Sequence, residues 1–171
     1  VQLVPMDNDQ HCRCEACRAL FDEENRSRHF SSGKASALFW TFANRVAREL
    51  RASHPEGRVG ALAYFDYAFP PPFELEPNIL VGPCLHTRNW WCPAMERNDL
   101  AFYKGWCAKA PGRLHCLWLY QCFPYERGDV YGFRAFPGFH AHTLGRQFRM
   151  FAADGVRGIF LCGVADYIDG Y

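Results

Sequence analysis

Short apolar runs alternate with amphipathic helical stretches along this chain, and that alternation leaves few architectures open. Val1 to Met6, Val59 to Phe65, Asn78 to Val81, Leu114 to Gln121 and Gly158 to Cys162 read as strands. Between the first two, apolar residues recur at Leu38, Phe39, Phe42, Val46 and Leu50 with Arg45, Arg48, Glu49 and Arg51 interleaved, which is the helical period. Ser31 or Ser32 can cap that helix and Pro55 ends it. A second helix carries Phe102 and Trp106 and stops at Pro111-Gly112; a third places Leu144, Phe148 and Phe151 on one face and ends near Gly155.

Strands separated by helices predict a parallel sheet covered by helices. One connection departs from the pattern. Phe69-Pro70-Pro71-Pro72 cannot be helix interior, so the crossover from the second run to the third has no room for a regular helix. Five strands do not close a barrel. The chain opens directly on Val1-Gln2-Leu3-Val4, which reads as the inside of a strand, so we expect three more strands upstream, with residues 1–171 forming one incomplete α/β domain: the C-terminal βα units of a (β/α)8 barrel. An open doubly wound sheet would instead call for a glycine-rich turn after an early strand, and the sequence has none.

Composition narrows the partners. Nineteen Lys and Arg stand against 18 Asp and Glu, a formal charge of +1, so the chain carries no electrostatic footprint for nucleic acid. Its apolar runs are far shorter than the roughly 20 residues that span a bilayer, which argues against membrane insertion. Nine cysteines are many for 171 residues, but the count alone does not choose a compartment.

A set of ordered motifs runs through nearly the whole sequence. Asp7-Asn8 precedes Cys12-x-Cys14-x-x-Cys17; Phe42-x-Asn44-Arg45-Val46-Ala47, Ala63-Tyr64, Pro71-Pro72, Pro77-Asn78, Cys84, Cys92 and Asn98 follow, then Trp106, Trp118-x-Tyr120, Phe136-Pro137 and Gly155-Val156-x-Gly158-x-Phe160. In this the chain resembles a bacterial domain of unknown function that often accompanies carbohydrate-active modules. The resemblance implies a barrel similar to those of glycoside hydrolases such as the alpha-glucuronidases and beta-hexosaminidases, a glycan ligand and an extracytoplasmic or secreted location. Two positions depart from the family pattern: Leu119 stands where relatives carry an Asp, and Leu161 where they carry a Glu.

Glycoside hydrolysis needs two carboxyl groups, and barrels hold such groups at the C-terminal ends of strands. Asp7, Asp9 and Asp66 follow strand ends, with Asp7 the preferred acid because it also matches the family; the competing role for each is a turn or helix cap. Asp166 and Asp169 after the last strand read equally well as solvated loop charges. Asn8, Tyr64, Trp90, Trp118 and Tyr120 are the expected glycan contacts, Trp118 foremost as a strand-end aromatic, with Trp91 beside them. Each aromatic serves a core equally well. No cofactor is expected for catalysis.

The sharpest local signal is Cys12, Cys14 and Cys17. Cys14 and Cys17 have zinc-knuckle spacing, whereas Cys12 and Cys14 are closer than usual. A structural zinc completed by His11, Cys84 or Cys92, a disulfide arrangement, and free thiols all remain open at this point. His86, His140 and His142 are scattered, and no ordered cysteine–histidine dyad stands out.

Overall fold

The computed structural model describes residues 1–5, 8, 10–25, 31–122 and 141–163. Their elements run β1 (Gln2–Leu3), α1 (Glu15–Arg18), α2 (Ser36–Ser53), β2 (Val59–Ala63), β3 (Ile79–Leu85), α3 (Pro93–Lys109), β4 (Leu117–Cys122), α4 (Ala141–Ala153) and β5 (Ile159–Gly163). The five strands form one all-parallel sheet in the order β1-β2-β3-β4-β5.

Pleating sends alternate residues to opposite faces, and here the two faces differ. Val59, Ala61, Ala63, Ile79, Val81, Leu85, Leu117 and Leu119 pack with Trp40, Ala43 and Ala47 of α2, Phe102, Tyr103 and Trp106 of α3, and Phe151 of α4 in one core. Small residues on β2 let α2 approach, and the Trp40 and Trp106 rings meet at 4.7 Å across the gap. Leu62, Leu80, Trp118 and Phe160 occupy the other face and stay partly or largely exposed. Both glycine stops work as the sequence predicts: Gly112 and Gly155 take left-handed backbone at φ 70° and 81° just beyond α3 and α4.

The proline-rich crossover from β2 to β3 contains no α-helix, only a 3-10 turn at Phe65–Tyr67. Its carbonyls are satisfied from the helix layer instead. Trp40 Nε1 donates to Tyr67 O at 3.2 Å, Trp106 Nε1 to Ala68 O at 2.6 Å, and Ser36 Oγ to Phe69 O at 2.6 Å. Two buried indoles therefore do for this loop what a helix ladder does elsewhere, and each donor finds the partner a buried polar group requires.

Several details differ from the sequence reading, among them α2, where Phe42 is 55% exposed and Trp40, Ala43 and Ala47 turn inward. Strand β1 is confined to Gln2–Leu3, since Pro5 has no amide hydrogen to extend the ladder. Strand β3 continues past Val81 through Gly82-Pro83 to Leu85. Pro83 falls where the register with β2 ends, while the segment leading into β4 flanks the other edge from Val81 and pairs with Cys84 and Leu85. A Cβ on Gly82 would stand 3.0 Å from the Cys116 carbonyl oxygen, so the glycine admits a close approach of chains. The cysteine-bearing loop also contains the single helical turn α1.

Candidate functional site

In an all-parallel sheet every strand ends at the same edge, so the residues just after β2 and β3 and near the end of β4 are brought together. Tyr64, His86 and Tyr120 meet there. The His86 imidazole stacks on the Tyr120 ring at 5.1 Å and 14°, and the Tyr64 ring lies 6.3 Å from that of Tyr120. Burial, then the neighbouring Cys84 and Tyr64, pushes the Tyr120 phenol well above its ordinary range, so it works as a neutral hydroxyl. Cys84, beneath it, is likewise pushed up by burial.

His86 is held from behind by Asp99, a fully buried residue of α3. The His86 backbone N–H donates to Asp99 Oδ2 at 2.5 Å, Trp90 Nε1 donates to the same oxygen at 2.9 Å, and His86 Nδ1 lies 3.4 Å from Oδ1. A carboxylate taken out of water needs such donors, and this one has them. Asp99 is thus a positioning residue for His86 and Trp90.

A second pair stands nearby, with a different construction. His11 Nε2 and Asp66 Oδ2 are 2.6 Å apart, and the His11 ring packs on Phe21 at 5.5 Å. Asp66 follows Phe65, whose φ of 50° is left-handed and uncommon for a bulky residue. Two backbone bonds hold that turn, Ser32 N–H to Phe65 O at 2.7 Å and Ala35 N–H to Asp66 O at 2.7 Å. Asp66 Oδ1 is buried, and no partner for it is found among the described residues. Beside His11 lies a cavity of about 310 Å³ lined by Pro5, Asn8, Gln10 and Tyr67 as well.

The sequence profile of the family described as Domain of unknown function (DUF4838) matches residues 1–166. The chain belongs to the DUF4838 family. No curated protein and no solved structure matches it.

Within this DUF4838 domain the sequence-derived candidates separate. Tyr64, Asp66 and Tyr120 lie at the strand-end edge. Asn8 is exposed, and its Oδ1 accepts the Gln10 backbone N–H at 2.9 Å. Asp7 and Asp9 lie outside the described residues, as do Asp166, Asp169, His140 and Phe136-Pro137. Trp118 is not at a strand end: it is the second residue of β4, on the open face against Phe160 at 4.3 Å. Trp90 is committed inward, to Asp99 and to the Phe151 ring at 6.3 Å, while its neighbour Trp91 is 80% exposed. A tryptophan pair read as equivalent is therefore divided, one indole inside and one out.

Sequence reasoning missed His86, Asp99 and His11 as a group. The available signal was the strand itself: read through Gly82-Pro83, β3 would have put His86 directly after its C-terminal end. Nothing in the sequence links His11 to Asp66, since the contact depends on how two loops fold back on each other.

Cys12, Cys14 and Cys17 do gather, with their sulphurs all within 4.8 Å of one another, a grouping compatible with a structural metal. Backbone N–H from Cys17, then the Cys12 and Cys17 thiols, lower the Cys14 pKa, while hydrogen bonding with Cys14 and then Cys12 raises Cys17 to about 11. Of the fourth ligands considered, His11 is engaged with Asp66, and Cys84 lies buried in β3. Cys92 precedes α3, and neither it nor the other two joins the cluster. Cys12, Cys14, Cys17, Cys84, Cys92, Cys107, Cys116 and Cys162 are not joined in disulfides. No helix among the described residues is long and apolar enough to cross a membrane.

Proposed function

We propose that this domain binds a glycan at the C-terminal edge of its sheet, and that the sheet is an arc of a glycoside-hydrolase-like (β/α)8 barrel completed by further strands of the same protein. The observation that carries the reading is the convergence of Tyr64, Asp66, His86 and Tyr120 at one edge, with the exposed Trp91 on the loop after β3. Aromatic faces suit the apolar faces of sugar rings, and neutral hydroxyls and carboxylates suit their hydroxyl groups.

Strand order supports the barrel. Right-handed crossovers that always step the same way accumulate helices on one face, whereas a doubly wound sheet needs a reversal of order. The order here is sequential. All-parallel sheets are covered on both faces, and the described helices cover one, leaving Trp118 and Phe160 on a face that a closed barrel would turn inward.

Hydrolysis would need a second carboxyl group beside Asp66, because Asp99 is already committed to His86 and Trp90. Asp7 and Asp9, after β1, are the candidates. The departure at Leu119 weighs little against turnover, because that residue is fully buried in the core under the helices; Leu161, in register with it on β5, is 49% exposed. A domain that binds without turnover is the second reading, favoured by the described edge, where Asp99 is taken up by His86 and Trp90 and Asp66 is paired with His11.

Incubation of the full-length protein with a panel of aryl glycosides and uronides separates the two. Turnover abolished by Asp7→Asn and by Asp66→Asn supports hydrolysis; glycan binding without turnover supports the binding module; neither binding nor turnover with any glycan contradicts the proposal.

A further inference from the structure

We propose that Cys12, Cys14 and Cys17 form a three-thiolate site for a single thiophilic d10 cation, zinc being the one expected, which holds the segment carrying His11 in its folded form. The inference stands apart from the glycan reading and does not depend on it.

Geometry comes first. A zinc–sulphur bond of about 2.3 Å sets the sulphur–sulphur edge of a tetrahedral site at roughly 3.8 Å. The three sulphurs lie within 4.8 Å of one another, so contraction by at most about 1 Å places them on one ion. Soft thiolates select zinc or copper(I) over the oxygen-seeking magnesium and calcium. Among the described residues the trio supplies three ligands, and the exposure of Cys12 and Cys14 leaves room for a fourth.

A second, independent observation concerns α1. It is four residues long, buries none of them and has no side-chain cap. Helices shorter than about 12 residues are marginal in water even with favourable composition, and packing is what usually rescues them. Among the described residues such packing is slight, with Cys17 alone half-buried. Cys14 directly precedes the turn and Cys17 lies inside it, so an ion shared by these sulphurs and Cys12 cross-links the turn to the chain leading into it. That cross-link supplies the missing stabilisation, and His11, next to Cys12, is held toward Asp66 by the same fold.

The test uses the full-length reduced protein with zinc alone and with cobalt(II) alone. One equivalent of zinc per chain is expected, and cobalt should give thiolate-to-metal charge-transfer absorption in the near ultraviolet. Cys14→Ser and Cys17→Ser should each weaken zinc binding beyond the 10- to 100-fold that losing an outer hydrogen bond to a ligand costs. Cys107→Ser, a thiol on α3 outside the cluster, should bind as the parent does. Failure of the reduced parent to take up stoichiometric metal overturns the proposal. So does uptake that survives the Cys14→Ser, Cys17→Ser double variant, or a disulfide within the trio in protein isolated without reductant.

Discussion

Two histidine–aspartate pairs stand at the same edge of this sheet, and they are made in opposite ways. In one, Asp99 is fully buried on α3 and both of its oxygens are engaged, by the His86 backbone and ring and by Trp90. In the other, Asp66 sits on a loop, one oxygen bonded to His11 and the other buried without a partner among the described residues. Identical chemical groups are thus satisfied differently: a fully bonded carboxylate fixes its neighbours, while the other keeps acceptor capacity on one buried oxygen.

The largest expected effect breaks the first pair. Asp99→Asn can keep one oxygen for the His86 N–H and Trp90 Nε1 but removes the buried negative charge those donors and the His86 ring face, and should cost about 2–4 kcal/mol of unfolding free energy. Asp66→Asn keeps the shape of a side chain that is not fully bonded, and should cost less than about 1 kcal/mol. Urea denaturation of the two variants against the parent checks the contrast; equal losses would erase the distinction between the pairs.

Trp90 and Trp91 sharpen the same comparison on adjacent residues. Trp90→Ala removes a ring packed on Phe151 and leaves an Asp99 oxygen short of a donor, for an expected loss of roughly 2–3 kcal/mol in stability. Trp91→Ala should leave stability within about 0.5 kcal/mol, as surface changes do. Its effect should appear in glycan affinity instead, as a loss of about 0.5–1.5 kcal/mol. Thermal melts paired with binding titrations distinguish the two outcomes.

Much of this arrangement could be read from residue order. Helix α2 was legible because Arg45, Arg48 and Glu49 alternate with residues that reach the core, and α3 and α4 because Gly112 and Gly155 end them. Each strand contained a recognisable apolar run. The crossover after β2 was legible only as an anomaly, since its solution, carbonyls captured by Trp40 and Trp106, requires indoles from two helices distant in sequence. Gly82-Pro83 reads as a turn signal that ends β3 at Val81, and the pairing on both sides that carries the strand through Pro83 is a tertiary event. That truncation is why His86 was not seen at a strand end. Trp90 and Trp91 could not be ranked by type or position, because only the presence of Asp99 decides which indole turns inward.

The central claim, that the edge carrying Tyr64, Asp66, His86 and Tyr120 receives a glycan, is tested most directly by following the five tryptophan indole N–H signals of the full-length protein by NMR during glycan titration. The account predicts movement of the Trp91 signal, with Trp40 and Trp106 unmoved in the core, and loss of that movement in Asp66→Asn. A response confined to Trp118 on the open sheet face, or no response to any glycan, would contradict it.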